Sequence, residues 1–336
     1  MKRVILMTGT EHYEVSTQTS REPDDEVLRQ SLLAKGIAVQ VAVWNDPRVN
    51  WEQTAREAVV VIRSCWDYHR DREGFLAWAE RIAEMTTLLN PIEALHWNTH
   101  KHYLQALHKE GIPVIPTIWL PQGPSPVLAD LLALHGWTSA VIKPAVSTNA
   151  YASMLVDRNS LVNGRAQAHL DHWVAEREMM IQPFLPSVMG MGEHSLVFIA
   201  GAFTHAFRKR AVLCGEADTL GEQPTSATDE EVELAQQILR SAARLLGISS
   251  SSSFLFARVD LINDAGTWRL MELELVEPRL RLGDAPEARE RLAATISAHC
   301  LGMHVHIYHS RPEPALTRQR KYISLFSFVR RVERAV

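Results

Sequence analysis

Over the first hundred positions, short apolar runs alternate with longer amphipathic stretches. Residues 4–7, 37–43, 58–63 and 87–90 are apolar runs of strand length, the last stopping before Pro91. Between them, residues 24–35 and 72–84 carry apolar side chains at helical spacing, and Gly36 stands where the first of these helices would end. Strands alternating with helices predict a parallel sheet covered by helices. Ligands of such sheets sit beyond the carboxyl ends of the strands. Here those ends fall at residues 9–14, 44–47 and 64–69.

After residue 98 the pattern changes. Residues 99–110 read as a helix closed by Gly111, followed by the extended segment GIPVIPTIWL with Pro113 and Pro116 inside it. A helix at 127–135 and strands at 140–143 and 179–182 come next. Two hairpins follow: residues 195–199 with 202–207 around Ala200 and Gly201, and 256–263 with 268–275 around 264–266. Between them lies a long amphipathic helix at 230–246, closed by Gly247; residues 285–298 form the last expected helix. Residues 214–228 and the serine run 249–253 read as loops. From Arg311 onward there are seven Lys/Arg against two acids, with apolar residues at 322–332. The expected fold class is α/β plus α+β: a parallel-sheet domain in residues 1–98, α+β subdomains in 99–185 and 186–310, and a basic tail in 311–336.

Composition narrows the functional classes. The chain has 336 residues, 46% of them hydrophobic, which suffices for two or three packed domains. A net charge of −4 gives no support for a nucleic-acid or membrane partner. No apolar window approaches the roughly 20 residues of a membrane span, and the N-terminal run is shorter than a signal-peptide core. Cys65, Cys214 and Cys300 are odd in number and form no CxxC, so neither a disulfide framework nor a zinc site is expected. The cytoplasm is the expected compartment. A homo-oligomer is allowed, because the apolar and basic tail would suit a subunit contact.

The sharpest chemical feature is ARVDLINDAGTWRLMELELVEP. Asp260 lies on one strand of a hairpin, and Glu272 and Glu274 lie two apart on the next, so the pair shares one sheet face. Three converging carboxylates repel one another unless a cation lies between them, and hard oxygen ligands suit Mg²⁺. A solvated acidic strand face would show the same spacing. Lys143 ends an apolar strand in AVIKP, where a point charge can bind phosphate oxygens; a surface lysine at a strand end reads alike. Gln182, Pro183, Phe184 and Leu185 form an extended stretch whose backbone could pair with an adenine edge, and Glu193 could accept ribose hydroxyls. A plain linker with a turn glutamate fits the same residues. Arg208 and Lys209 adjoin Phe207 on a strand, so one basic residue faces each way and one could neutralise a transferring phosphoryl group. A solvated edge strand would also carry them. Arg63, Trp66, Asp67 and Tyr68 lie at a strand's carboxyl end, where a substrate would face the cleft. Arg63 could pair with a substrate carboxylate and Arg279 with a second. Trp66 and Tyr68 would equally suit a packed domain interface.

Taken in order, Lys101, Lys143, Gln182 to Leu185, Glu193, Arg208, Asp260 and the Glu272-x-Glu274 pair resemble the ATP-grasp superfamily. The resemblance is closest to its glutathione-synthetase-like branch and to the cycloserine-forming ligases. It runs from about residue 63 to about residue 282, through RSCWDY, VIKPAVS, IQPFLP, GEHSLVF and MELELVEP. It implies a parallel-sheet domain before a two-subdomain ATP-grasp fold that holds ATP between its halves. Lys101 and Lys143 would contact the α- and β-phosphates, residues 182–185 would hold adenine, and Glu193 the ribose. Asp260, Glu272 and Glu274 would carry one or two Mg²⁺ ions, and Arg208 would face the γ-phosphate or an acyl-phosphate. The family's third metal ligand is often Asn; Glu274 in its place should favour two metals or tighter binding. The implied reaction activates a carboxylate as an acyl-phosphate that an amine then attacks.

Two departures stand out. Relatives cover the phosphates with a glycine-rich loop after Lys-Pro, whereas this chain has AVSTNAYAS, without glycine. Relatives also carry an arginine in the loop after the Arg-Lys strand, whereas CGEADTLGEQPT has none after Arg210. Three functions follow: a carboxylate–amine ligase acting on small amino-acid-like substrates, a cyclo-ligase closing a ring within one substrate, and a nucleotide-binding regulator with reduced catalysis.

Overall fold

In the computed structural model of the chain, the four N-terminal apolar runs pair in parallel. Their order is Ala38–Val43, Arg3–Thr8, Ala58–Ser64 and Thr87–Leu89. The structure describes residues 3–20, 22–209 and 221–302. The basic tail at 311–336, Arg210 and part of the loop expected at 214–228 lie outside those residues. Every residue of Ala58–Ser64 is buried, because helices cover both sheet faces. Pro23–Ala34 and Pro286–Cys300 bring Leu28, Leu32, Leu292 and Ile296 onto Val4 and Leu6. Arg72–Met85 brings Phe75, Ala79 and Ile82 onto Ile5, Val60 and Ile62. A strand buried on both faces reads as a continuous apolar run, which is what VVVI at 59–62 is.

Two antiparallel sheets follow. One has the order Ile118–Leu120, Met179–Pro183, Ala140–Pro144, Met154–Val156. The other has the order Gln223–Thr225, Ala202–Lys209, Glu193–Ile199, Phe256–Asp264, Thr267–Glu274. The latter sheet has two unlike faces. Leu196, Phe198, Ala206, Val259 and Leu273 pack against Ala235, Ile238, Leu239 and Ala242 of the helix Asp229–Leu245. The opposite face carries charge. Helix Asp229–Leu245 starts with a capping box between Thr228 and Glu231, a device worth about 1 kcal/mol. The Ala200–Gly201 turn puts both residues at positive φ, and a Cβ on Gly201 would come within 2.7 Å of the Ser252 backbone, so only glycine fits there.

The helix predicted at 99–110 is shorter, starting only at Tyr103. Ile92–Asn98 and Tyr103–Lys109 are separate helices, and the turn between them lets the Lys101 amide donate to Ala145 O at 2.9 Å. The elements at 154–178 were not anticipated from the pattern. Among them, Arg165–Glu176 buries Ala166, Leu170 and Val174, an i, i+4, i+8 stripe present in the sequence. Among the described residues no helix is long and apolar enough to cross a membrane.

Candidate active site

Strand alternation and register build the charged face. Asp260 lies opposite Ser195 on one side and Glu272 on the other, Arg258 opposite Glu274, and Glu193 opposite Lys209. Directly paired residues share a face, so these side chains converge. Asp260, Glu272 and Glu274 offer ligand oxygens that lie within 4.8 Å of one another. Arg258 grips Asp260 with two hydrogen bonds of 2.9 Å and also pairs with Glu274. Lys209 donates to Asp260 at 2.6 Å and stands 3.4 Å from Glu193. Lys101 stands 2.9 Å from Glu272 and donates to Ser147 O at 3.1 Å. The helices before residue 110 brace the acidic strand. Asn98 donates to Leu273 O and accepts from the Leu275 amide, and the Tyr103 hydroxyl accepts from the Leu273 amide. Asn90 bonds Phe256 O, Leu275 O and the Leu255 amide, tying the hairpin to the parallel sheet.

The face opens on a cleft of about 520 Å³. Ile115, Val141, Phe184, Leu185, Val188 and Met271 line one part of it. Lys101, Lys143, Lys209, Arg258, Glu272 and Glu274 line another, and Trp66, Tyr68, Glu277 and Arg279 a third. Gln182, Pro183 and Glu193 also reach it. Gln182 is held by donation to Thr117 Oγ1 at 3.0 Å, and the Phe184 amide bonds Ser139 O at 3.1 Å. Asp260 has no exposed surface and lies behind Arg258 and Lys209.

The electrostatics follow from burial. Burial would push Asp260 up, but Arg258 and Lys209 hold its carboxyl well below the usual range. Glu274 goes the other way: burial, with Glu272 and Asp260 nearby, raises it to about 7 against the pull of Arg258. Burial lowers the Lys143 ammonium, partly offset by Glu272. It would lower Lys101 as well, but Glu272 prevails and raises it. Burial raises Glu193 against the pull of Lys209. The donor set fits a hard divalent cation: Glu272 and Glu274 face the cavity with Asp260 behind them, all oxygen ligands, beside lysines suited to phosphate.

The structure separates the expected site residues into two groups. Lys101, Lys143, Gln182, Pro183, Phe184, Leu185, Glu193, Glu272, Glu274, Trp66, Tyr68 and Arg279 line one cleft. Arg208, Arg63, Asp67 and Asp260 do not, Asp260 lying behind Arg258 and Lys209. Arg208 lies opposite His194 on the helix-facing side and reaches Gln223 at 3.4 Å, so Lys209 is the basic residue this strand gives the cleft. Arg63 is fully buried, 3.3 Å from Asp25, and donates to Pro278 O. Asp67 accepts from the Trp44 indole at 2.8 Å and the Thr10 amide at 3.0 Å, and fills the space a side chain on Gly9 would need. Sequence reasoning missed Arg258 and Glu277, and between Arg208 and Lys209 it assigned the role to Arg208. Arg258 was findable, since it stands two residues before Asp260 on a strand. The phosphate-side loop has Asn149, Ala150 and Ala152 at positive φ, the conformation that glycine adopts without strain. Thr148 ties this loop to Trp66 O at 2.6 Å and to the His69 ring at 2.9 Å.

A nucleotide-sized cleft with an apolar part, paired lysines and an acidic triad, carried between two antiparallel sheets behind a parallel-sheet domain, defines an ATP-grasp ligase. The D-cycloserine synthetase DcsG N-terminal domain family matches residues 4–90. The chain is 30% identical over 280 residues to the cycloserine biosynthesis protein DcsG of Streptomyces lavendulae, covering 80% of this chain and 91% of that protein. It therefore belongs to the DcsG family of ATP-grasp ligases, ADP-forming enzymes that join carbon to nitrogen. The crystal structure of D-cycloserine synthetase DcsG superposes with a TM-score of 0.77 at 28% identity, over 88% of this chain and 99% of that one. The D-alanine–D-alanine ligase of Bacillus anthracis shares the fold, with a TM-score of 0.62 at 15% identity over 90% of this chain and 98% of that one. So does the ATP-grasp ligase PsnB, solved with its minimal precursor, Mg and ADP, with a TM-score of 0.55 at 16% identity over 89% and 98%.

Proposed function

We propose that the protein uses Mg²⁺–ATP to convert a carboxylate of an amino acid or small amino-acid derivative into an acyl-phosphate, which an amine then captures. The observation that carries this reading is the single sheet face on which Lys209, Arg258, Asp260, Glu272 and Glu274 converge, open to the cleft that Lys143 lines. In this reading the nucleotide lies between the sheets of residues 99–185 and 186–310. The apolar part of the cleft takes adenine, with Gln182 and the backbone to Leu185 along its edge, and Glu193 takes the ribose. Lys101 and Lys143 hold phosphate oxygens. Glu272 and Glu274, with Asp260 behind them, would hold one or two Mg²⁺, whose charge offsets that of the phosphates. Arg258 and Lys209, buried and fixed by Asp260, present positive charge where the transferring phosphoryl group becomes most negative. Trp66, Tyr68 and Arg279 border the acceptor. The loop tied by Thr148 to Trp66 shields the acyl-phosphate from water.

The likeness to DcsG favours a second form of the same chemistry, in which the attacking amine belongs to the activated molecule and a ring closes. Purified protein with Mg²⁺, ATP and a panel of amino acids and amino-acid amides or ureas tests both. Release of ADP and phosphate, with carboxylate ¹⁸O appearing in the phosphate, supports the acyl-phosphate. Mass spectrometry separates one consumed substrate from two. No ADP across the panel, or no ¹⁸O in the released phosphate, overturns the reading.

A further inference from the structure

The mechanism above leaves Glu277, a buried acid that lines the cleft, unused. Glu277 is 8% exposed, and among the described residues its carboxylate forms no ion pair or hydrogen bond, with Lys101 and Arg258 attracting it only from beyond contact. The cations nearby are engaged elsewhere: Lys101 with Glu272, Lys209 with Asp260 and Glu193, Arg258 with Asp260 and Glu274, and Arg279 with Glu22 and Glu222. Nor does it join the metal-ligand cluster, which consists of Asp260, Glu272 and Glu274. Its position is fixed from behind. Its own carbonyl accepts from the Trp66 indole at 2.8 Å, and Pro278 O accepts from Arg63. Asp24 holds the next turn through the amides of Leu280, Arg281 and Leu282. A carboxylate held rigidly in a cavity without a paired protein cation is costly unless a ligand supplies the charge.

We infer that Glu277 receives the protonated amino group of an amino-acid-like substrate, and so selects ammonium-bearing acids over plain carboxylic acids; this rests on the ligase reading above. The neighbours agree. Trp66 and Tyr68 border the cleft beside it, with the Trp66 indole bonded to the Glu277 carbonyl. Arg279, two residues on, has its guanidinium 4.9 Å from the Trp66 ring centre, leaving positive charge at the rim for a carboxylate. A site built to bond a charged group rejects the analogue that lacks it, because its own buried acid then stays unpaired.

The test is calorimetry on the full chain loaded with Mg²⁺ and AMPPNP. The probes are alanine, serine and asparagine in both enantiomers, each against its amine-free counterpart: propionate, 3-hydroxypropionate and succinamate. The wild type should bind at least one amino acid about 30-fold or more tightly than its counterpart, the size of a charge-assisted contact. Glu277→Gln should erase that difference and Glu277→Asp should keep part of it, while AMPPNP binding and the melting temperature report that each variant is folded. Equal binding of both members of every pair, no binding by any probe, or undiminished discrimination in Glu277→Gln would overturn the assignment. ADP release from parallel samples of the same amino acids, with ATP in place of AMPPNP, reports the ligase reading separately. Amine discrimination without ADP leaves Glu277 assigned and removes the ligase; ADP without discrimination does the reverse.

Discussion

Two buried guanidinium–carboxylate clusters lie in this protein, and they serve opposite ends. In the first, Arg63 and Asp25 face each other at the end of the parallel sheet. Ser64 and Ser20 donate to Asp25, at 2.5 and 2.8 Å, and Pro278 O takes one guanidinium bond. Neither residue lines the cleft. In the second, Arg258 holds Asp260 more tightly, through two hydrogen bonds of 2.9 Å, but Glu272 and Glu274 crowd beside it, and the excess negative charge faces a cavity. The first cluster lies away from the cleft, held by two hydroxyls and one carbonyl, with Arg63 Nε and Nη1 and Asp25 Oδ1 lacking a hydrogen-bond partner among the described residues. The second is left open on one side, so a ligand completes it. A buried Arg–Asp pair alone therefore says nothing of function; what matters is whether it faces a cleft that a ligand can enter.

Removing Asp25 should have the largest effect on stability. Asp25→Ala leaves Arg63 charged and unpaired, and should lower unfolding free energy by about 3–5 kcal/mol, measured by urea denaturation. The paired change Asp25→Leu with Arg63→Met should cost far less; if it costs as much, the first cluster does more than fill space. Glu272→Gln should do the reverse, cutting ADP release by about 100- to 1000-fold with little change in melting temperature. Equal loss of stability would erase the contrast between the clusters.

Smaller effects sharpen it. Lys209→Ala should slow turnover by about tenfold or more, whereas Arg208→Ala should change it by less than about twofold. Glu274 is raised to about 7, so a divalent ion must displace its proton below that pH. Mg²⁺ affinity should therefore rise between pH 5 and 7 and level off above it, followed by calorimetry at each pH. The same raised value means that Glu274 favours the fold below the ordinary glutamate range and loses that contribution as pH climbs through 7. The smallest change is expected from Ala152→Gly, which relieves a residue at φ 52° and should stabilise by about 0.5–1 kcal/mol in thermal or urea unfolding.

Much of this was legible in the chain itself. The alternation of apolar runs and helical stripes predicted the parallel sheet, and the two-residue spacing of Glu272 and Glu274 put both on one face whatever the fold. Local geometry suffices there, because strand parity is a property of the backbone. It did not suffice to choose between Arg208 and Lys209. Parity says only that they face opposite ways; which one reaches the cleft depends on the register with Glu193 and on which face the helix Asp229–Leu245 covers. Arg63 stands at a strand end that ligands favour, yet Asp25, from a helix 38 residues earlier, closes it off. Glu277 drew no reading from the sequence; tertiary packing alone placed it at the cleft. Side-chain direction is written locally, but the partner that waits there is supplied by distant segments, because charge is decided by everything packed within a few ångströms.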